Sequence, residues 1–272
     1  MARKPTWKPI EVAEAGYLRI ISDSIQNLEK KVEDVFFPLV EGDLIVGSDY
    51  SGQHKGASHE AYSFIVTSDV FFVEWLGQLA EFRRQWLPDG RRLSFKKLNE
   101  NVRWKSLPHF LTLSGELKGN LITILVSNEI KSFIAGGPDS IVEAFPDCFS
   151  AGINLGTAEK MFRLASFQAM ILSCFRKEAQ TSFWVSDHDE TLDSHEKRED
   201  FGKMASLINF GISNWSKPAP HYFTTTELED APYWSEDLVA IADIAAGAYC
   251  KMSNVIPKYF GCRNWSVILA SE

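Results

Sequence analysis

The chain has 272 residues, of which 45% are hydrophobic and 24% are charged, and its formal net charge is −8. This composition is typical of a globular protein, and it excludes a disordered chain and a generally basic nucleic-acid coat protein. The four cysteines form no CxxC pair, so we expect reduced thiols and no cysteine zinc site. The sequence shows no secretory signal and no run of about 18 apolar residues, so we expect a cytoplasmic protein without a membrane span.

The first 42 residues are predicted to form an arm and a helix ahead of the main domain. Apolar residues recur at steps of three and four between Glu11 and Phe36, and this spacing predicts an amphipathic helix. Residues 43–252 are predicted to form the main domain. Residues 253–272 are predicted to be a C-terminal extension packed on the same domain.

The main domain alternates short apolar runs with longer helical patterns. Apolar runs bounded by turn residues predict strands at 43–50, 61–67, 121–127, 182–186 and 221–225. Apolar residues at helical spacing predict helices at 71–86, 156–175, 193–208 and 237–252. The first two strands flank a polar turn and are expected to pair as an antiparallel hairpin. The element order predicts an α/β fold with a mixed sheet flanked by helices.

Acidic residues stand at the ends of two predicted strands and inside an apolar helix. Asp49 ends the first strand, Asp187 follows a later strand together with Asp189 and Glu190, and Asp243 lies in the alanine-rich last helix. A buried carboxylate costs roughly several kcal/mol unless it is paired or bound to a metal. Each acid also has a simpler interpretation, as a turn or helix cap for the first two groups and as an exposed helix residue for Asp243.

If the three acidic regions converge, their mutual repulsion favours a shared cation. Hard divalent cations such as Mg²⁺ and Mn²⁺ bind carboxylate oxygens and water. Such ions can stabilise the attacking and leaving oxygens in phosphoryl transfer. The acids therefore predict a magnesium or manganese site that hydrolyses phosphate esters.

A basic segment with interleaved aromatic residues follows the second predicted strand and its helix. Eight basic residues lie between positions 83 and 105, where the acids are Asp89 and Glu100. Lysine and arginine mixed with aromatic side chains suit a phosphate backbone and stacked bases. The alternative is a solvated basic surface above core aromatics. The residues predicted to contact nucleic acid are Arg83, Arg84, Arg91, Arg92, Lys96 and Lys97.

Three motifs, GSDYSG, FWVSDHDE and LVAIADIAAGAY, resemble the family called domain of unknown function 3800. The resemblance covers about residues 43–252 and implies an RNase H-like fold. It implies that Asp49, Asp187 and Asp243 are acids of a Mg²⁺- or Mn²⁺-dependent nuclease site, assisted by Glu190 or Asp189. It also implies a bacterial setting in defence or in mobile elements.

The sequence departs from the family pattern at two positions. Tyr50 stands where the family has a second acid, and Ser94-Phe95-Lys96 stands where the family often has Glu-x-Lys. These departures favour a second hypothesis, a catalytically degraded RNase H-like binding or structural subunit of a larger complex, with a protein partner or a second copy of itself. A third is a metal-dependent hydrolase of a small phosphorylated substrate.

Overall fold

A computed structural model describes residues 7–12, 16–32, 35–39, 42–52, 56–150, 152–177, 179–213, 220–226, 233–252, 259–262 and 265–270. The described helices are α1 Tyr17–Lys31, α2 Asp69–Trp86, α3 Asn101–Glu116, α4 Pro138–Ala144, α5 Leu155–Phe175, α6 His195–Ile212 and α7 Tyr233–Met252. The described strands are β1 Leu44–Ser51, β2 His59–Ser68, β3 Gly119–Ser127, β4 Ser182–Ser186, β5 His221–Thr225, β6 Tyr259–Cys262 and β7 Trp265–Ala270. No helix in these ranges combines the length and the apolar character needed to cross a membrane.

The chain divides into two compact units that interleave along the sequence. The helical unit comprises Met1–Lys30, Glu129–Ala179 and His188–Pro220. The sheet unit comprises Lys31–Asn128, Gln180–Asp187 and His221–Glu272. The sequence analysis divided the chain after residues 42 and 252. The two compact units are made of interleaved segments and do not test these boundaries, which stay a prediction. Residues 1–6 of the predicted arm and residues 253–258 of the predicted extension lie outside the described residues.

The sheet unit is built on a seven-stranded mixed sheet in the order β5-β4-β1-β2-β3-β7-β6. β2 runs antiparallel to both β1 and β3, whereas β4 is parallel to β1 and to β5. Within the five strands from β3 to β5, β2 alone is therefore reversed, which is the arrangement of an RNase H-like sheet. The predicted mixed α/β sheet, its first hairpin and the helix that precedes it are confirmed.

The last helix, α7, covers the face of the sheet that carries Gly47. A Cβ atom at Gly47 would lie 2.8 Å from Leu238 Cγ, so the glycine allows α7 to approach the sheet closely. Leu238, Ile241 and Ala245 belong to the same buried apolar cluster as Ile45. The alanine-rich helix therefore packs on the sheet, and this packing brings Asp243 to this face.

In the helical unit, α5 is buried along most of its length and packs against α6. The side chain of Asn154 caps α5 by accepting hydrogen bonds from the backbone of Gly156 and Thr157. Near α1, the Trp7 indole donates to Ser22 Oγ at 3.0 Å. Ser22 also lies beside the buried thiol of Cys174. These contacts give the helical unit a core of its own.

The structure corrects several predicted elements. α3 and α4 were not predicted, and neither were strands β6 and β7. α3 contains Pro108, and polar residues such as Arg103 and Ser106 occupy its buried side. Its sequence therefore lacks the apolar periodicity that identifies a helix. The N-terminal helix is shorter than expected, because Val12 precedes it and Val35 follows it in non-helical conformations.

Candidate active site

Two of the predicted acids meet at one edge of the sheet because their strands are parallel neighbours. The register pairs Ser48 of β1 with Ser186 of β4, so the next residue on each strand is an aspartate. The backbone N–H of Asp187 donates to the Ser48 carbonyl at 2.9 Å. Asp49 is 6% exposed, and the side chain of Asp187 is 24% exposed.

The third acid, Asp243, comes to the same place from α7. It is 8% exposed, which excludes the interpretation of an exposed helix residue. Its Oδ2 atom accepts a hydrogen bond from the backbone N–H of Phe95 at 2.8 Å. Asp243 is also close enough to Asp49 for a hydrogen bond between the two carboxyl groups. Asp49, Asp187 and Asp243 are called the acidic cluster below.

The carboxyl groups of the acidic cluster repel one another. Burial is the largest cause that raises the pKa of Asp49, and the charges of Asp243 and Asp187 raise this pKa further. The backbone N–H of Tyr50 donates to Asp49 Oδ1 at 2.7 Å and lowers the pKa of Asp49. Because repulsion outweighs this bond, the cluster favours either a shared proton or a cation.

Arg92 supplies a positive charge to the acidic cluster. Its Nη2 atom donates to Asp187 Oδ1 at 2.5 Å, and the Thr226 hydroxyl donates to the same oxygen at 3.2 Å. Burial lowers the pKa of Arg92, but the charges of Asp187, Asp49 and Asp243 outweigh it and raise that pKa overall. The structure places Arg92 against Asp187, and its predicted contact with nucleic acid stays a prediction.

The residues of the acidic cluster fit a hard divalent cation by their chemistry. Three carboxyl groups provide oxygen ligands, and the charges of Asp243 and Asp187 beside the buried Asp49 favour a cation. In the side-chain arrangement of the described residues, however, no three His, Cys, Asp or Glu groups already surround one point as ligands. Asp187 is turned toward Arg92, so a metal would require this side chain to exchange partners.

The two assisting acids, Asp189 and Glu190, belong to the helical unit. Lys160 Nζ donates to Asp189 Oδ2 at 2.5 Å, and the backbone N–H of Thr191 donates to Asp189 Oδ1 at 2.9 Å. Glu190 is exposed, and its backbone carbonyl accepts a hydrogen bond from Lys197. Asp189 therefore caps the turn that follows it, as its simpler interpretation predicted. The proposed assistance of Asp189 or Glu190 to a metal stays a prediction.

The two departures from the family pattern have clear positions in the structure. The hydroxyl of Tyr50 lies 2.9 Å from Ser48 Oγ and 2.8 Å from Ser186 Oγ. Tyr50 therefore points away from the sheet face that carries Asp49, because successive residues of a strand face opposite sides. Ser94 precedes a short 3₁₀ turn at Phe95–Lys97. That turn contacts Asp243 through Phe95. Ser94, where the resembled family often has an acid, therefore lies next to the acidic cluster.

The six predicted nucleic-acid contacts fall into two groups. Arg83 donates to the buried carboxylate of Asp237, whereas Arg84 pairs with Glu81 and Arg91 pairs with Asp89. Together with Arg92, these arginines are engaged in ion pairs within the protein. Lys96 and Lys97 are exposed and show no ion pair within the described ranges.

Beside the 3₁₀ turn lies an open pocket of about 560 Å³ that sequence reasoning did not predict. Its lining residues are Phe95, Lys96, Leu98, Asn99, Trp104 and Lys251. Lys251 Nζ lies 4.8 Å from the centre of the Phe95 ring. Trp104 and Lys96 carried a sequence signal, namely basic residues interleaved with aromatics. Asn99 and Lys251 carried none, because Asn99 is neither basic nor aromatic and Lys251 is distant in sequence and reaches the pocket only through the packing of α7.

Comparison with protein-family models and with curated proteins gives no match. Among solved structures, the chain is similar to the crystal structure of ribonuclease H2 from Pyrococcus horikoshii OT3. The two chains are 14% identical, with a TM-score of 0.38, and the match covers 78% of this chain and 75% of the other. A likeness at this distance carries no argument about activity.

Proposed function

We propose that the sheet unit hydrolyses phosphodiester bonds of nucleic acid with the help of Mg²⁺ or Mn²⁺. The observation that carries this proposal is the meeting of Asp49, Asp187 and Asp243 at one edge of the sheet, with the pKa of Asp49 raised by burial and by its two neighbours. We propose further that the chain is related to domain of unknown function 3800 and that it acts in defence or in mobile elements.

The three carboxylates of the acidic cluster would hold the metal ion. When bound, a divalent ion supplies an activated water and neutralises charge on the phosphate. Asp49 and Asp243 would hold the ion, whose positive charge would offset the repulsion between their carboxyl groups. Asp187 would bind the ion in place of the Arg92 guanidinium, which it contacts at 2.5 Å. Arg92 would then be available to attract the anionic phosphate.

The surface next to the acidic cluster supports nucleic acid as the substrate. The backbone N–H of Phe95 contacts Asp243 directly. The same turn presents Lys96 and Lys97 to solvent. Lysines beside exposed aromatic side chains suit a phosphate backbone with unstacked bases.

A comparison of labelled single-stranded and double-stranded DNA and RNA tests this proposal. Each substrate is incubated with Mg²⁺, Mn²⁺ or a chelator, with the wild type and the Asp49→Asn variant. We expect cleavage that requires metal and falls at least about 100-fold in the variant, because second-shell changes alone typically cost about 10- to 100-fold. The matched control is Asp23→Asn, whose half-exposed carboxylate lies 3.9 Å from Arg19 on α1. Cleavage that is equal in chelator, or equal in Asp49→Asn, contradicts the proposal.

The contact between Arg92 and Asp187 favours a second candidate function, a nucleic-acid-binding or structural subunit with a degraded metal site. An arginine that neutralises an acid permanently removes the need for a metal. Tyr50, at the position of the second acid, favours the same conclusion. Binding of nucleic acid in chelator, with no cleavage in either metal, is the result expected for this candidate, whether it acts with a protein partner or with a second copy of itself.

A further inference from the structure

The pocket beside the 3₁₀ turn combines an exposed aromatic ring with two lysines. Trp104 of α3 is 63% exposed, which is unusual for so large an apolar side chain. Lys96 and Lys251 are exposed at the same pocket, and Asn99 adds an amide that can both donate and accept hydrogen bonds. This combination offers a stacking surface, a base-edge contact and positive charge within one cavity of about 560 Å³.

The wall of the pocket formed by Phe95 is fixed in place. The Phe95 ring packs on Gly247 of α7, where a Cβ atom would lie 2.2 Å from Phe95 Cδ1. Lys251 Nζ lies over the same ring, 4.8 Å from its centre. The backbone N–H of Phe95 is bonded to Asp243, so one residue lines the pocket and contacts the acidic cluster.

We propose that this pocket binds one nucleobase of a single-stranded nucleic acid, stacked on Trp104, with its phosphate contacted by Lys96 and Lys251. The inference rests on the proposed function, and it names the substrate class and the subsite that holds it. A base pair in a duplex keeps its faces covered, whereas an unpaired base can stack on an indole ring. The net charge of −8 directs a polyanion to local basic sites such as this one.

Binding of a fluorescein-labelled oligothymidylate of ten nucleotides, measured by anisotropy in chelator, tests the inference. The comparison strand is abasic, with the same length and the same number of phosphates. We expect Trp104→Ala to weaken binding of oligothymidylate by about tenfold or more, and Trp104→Phe to retain most of the affinity. Neither change should weaken binding of the abasic strand. The control is Tyr222→Ala, which removes another exposed aromatic of the sheet unit, 57% exposed.

Unchanged oligothymidylate binding in Trp104→Ala overturns the inference, and so does an equal loss on the abasic strand. A polyglutamate peptide that displaces oligothymidylate at equal charge concentration also overturns it, in favour of an acidic protein segment. If Trp104 governs binding but no metal gives cleavage, the proposed function fails and the subsite stands. If the wild type cleaves and Trp104→Ala binds and cleaves as well as the wild type, the subsite fails and the proposed function stands.

Discussion

The three carboxyl groups of the acidic cluster outnumber the single guanidinium of Arg92 that contacts them. The site is partly buried, and the attraction between a carboxylate and a cation is stronger there than in water. A divalent cation would therefore compete with Arg92 for Asp187. The Arg92 side chain is 26% exposed, so it can leave Asp187 without becoming buried elsewhere.

Replacing Arg92 by glutamine removes the cation that competes for Asp187. We expect the affinity for Mn²⁺, measured by calorimetry, to rise by about tenfold, which corresponds to about 1.4 kcal/mol. The matched control is Arg91→Gln, because Arg91 pairs with the exposed Asp89 and not with the acidic cluster. An affinity that is unchanged or reduced in Arg92→Gln would show that Arg92 does not compete with the metal.

The raised pKa of Asp49 predicts how stability depends on pH. A carboxyl with a higher pKa in the folded chain than in the unfolded chain stabilises the fold when protonated. This contribution is lost as the pH rises from the ordinary value of 3.8 through the raised value. In chelator, urea unfolding should show that Asp49→Asn gains stability over the wild type as the pH increases from 4 to 8, on the order of 1 kcal/mol or more.

Carboxyl groups remote from the acidic cluster are present in both proteins, so their effects cancel in this comparison. Adding Mg²⁺ or Mn²⁺ at pH 8 should stabilise the wild type and leave Asp49→Asn unchanged, because binding to the folded state alone raises stability. Asp23→Asn serves as the control at each pH. A difference between wild type and Asp49→Asn that shrinks with rising pH would contradict the assigned direction.

At the scale of elements, the positions of the acids at strand ends could be predicted from the sequence. The ion-pair partners of their side chains could not. Asp49 and Asp187 follow apolar runs, and parallel pairing of those runs brings them together. The pairing of Arg92 with Asp187 spans 95 residues and depends on how the segment before α3 packs. α3 itself carries buried polar residues and an internal proline, so its sequence resembles a loop. The pocket was missed because it needs both α3 and the end of α7.

Gly247 tests whether α7 and the 3₁₀ turn depend on their close contact. In Gly247→Ala, the new methyl group overlaps the Phe95 ring, and we expect a loss of about 1–3 kcal/mol in the free energy of unfolding. Gly77→Ala on α2 is the matched control, since no heavy atom lies within 4 Å of its added Cβ. That change should stabilise the protein by about 0.5–1 kcal/mol, because alanine favours a helix more than glycine. Equal effects of the two changes in urea unfolding would exclude a structural role for the contact.

At the scale of the whole molecule, an acidic protein presents a small basic surface. The four arginines predicted to contact nucleic acid are ion-paired within the protein, whereas Lys96, Lys97 and Lys251 are exposed. We therefore expect these three lysines to be the phosphate contacts of a strand bound in chelator. For single strands, the logarithm of the binding constant falls with the logarithm of salt concentration by about 0.7 for each phosphate contacted.

We therefore expect a salt slope of about −2 for oligothymidylate binding, from three contacts at about 0.7 each. Lys96→Gln should reduce the magnitude of the slope by about 0.7. The measurement is a series of anisotropy titrations between low and moderate salt, in chelator. A slope of about −2.8 that Lys96→Gln leaves unchanged, as expected for four contacts at about 0.7 each, would instead assign the phosphate contacts to the arginines.

The pairing of β1 with β4 also sets the order in which the chain can assemble. The backbone N–H of Thr181 donates to Asp43 Oδ1 at 2.9 Å across a separation of 138 residues. Closing so long a loop costs entropy before any contact rewards it, and non-local pairing slows folding. We expect the hairpin of β1 and β2, which carries Asp49, to form first because it is local. Asp49 meets Asp187 only when β4 docks and meets Asp243 only when α7 packs on the sheet, so the repulsion that favours a cation arises only as these distant segments assemble.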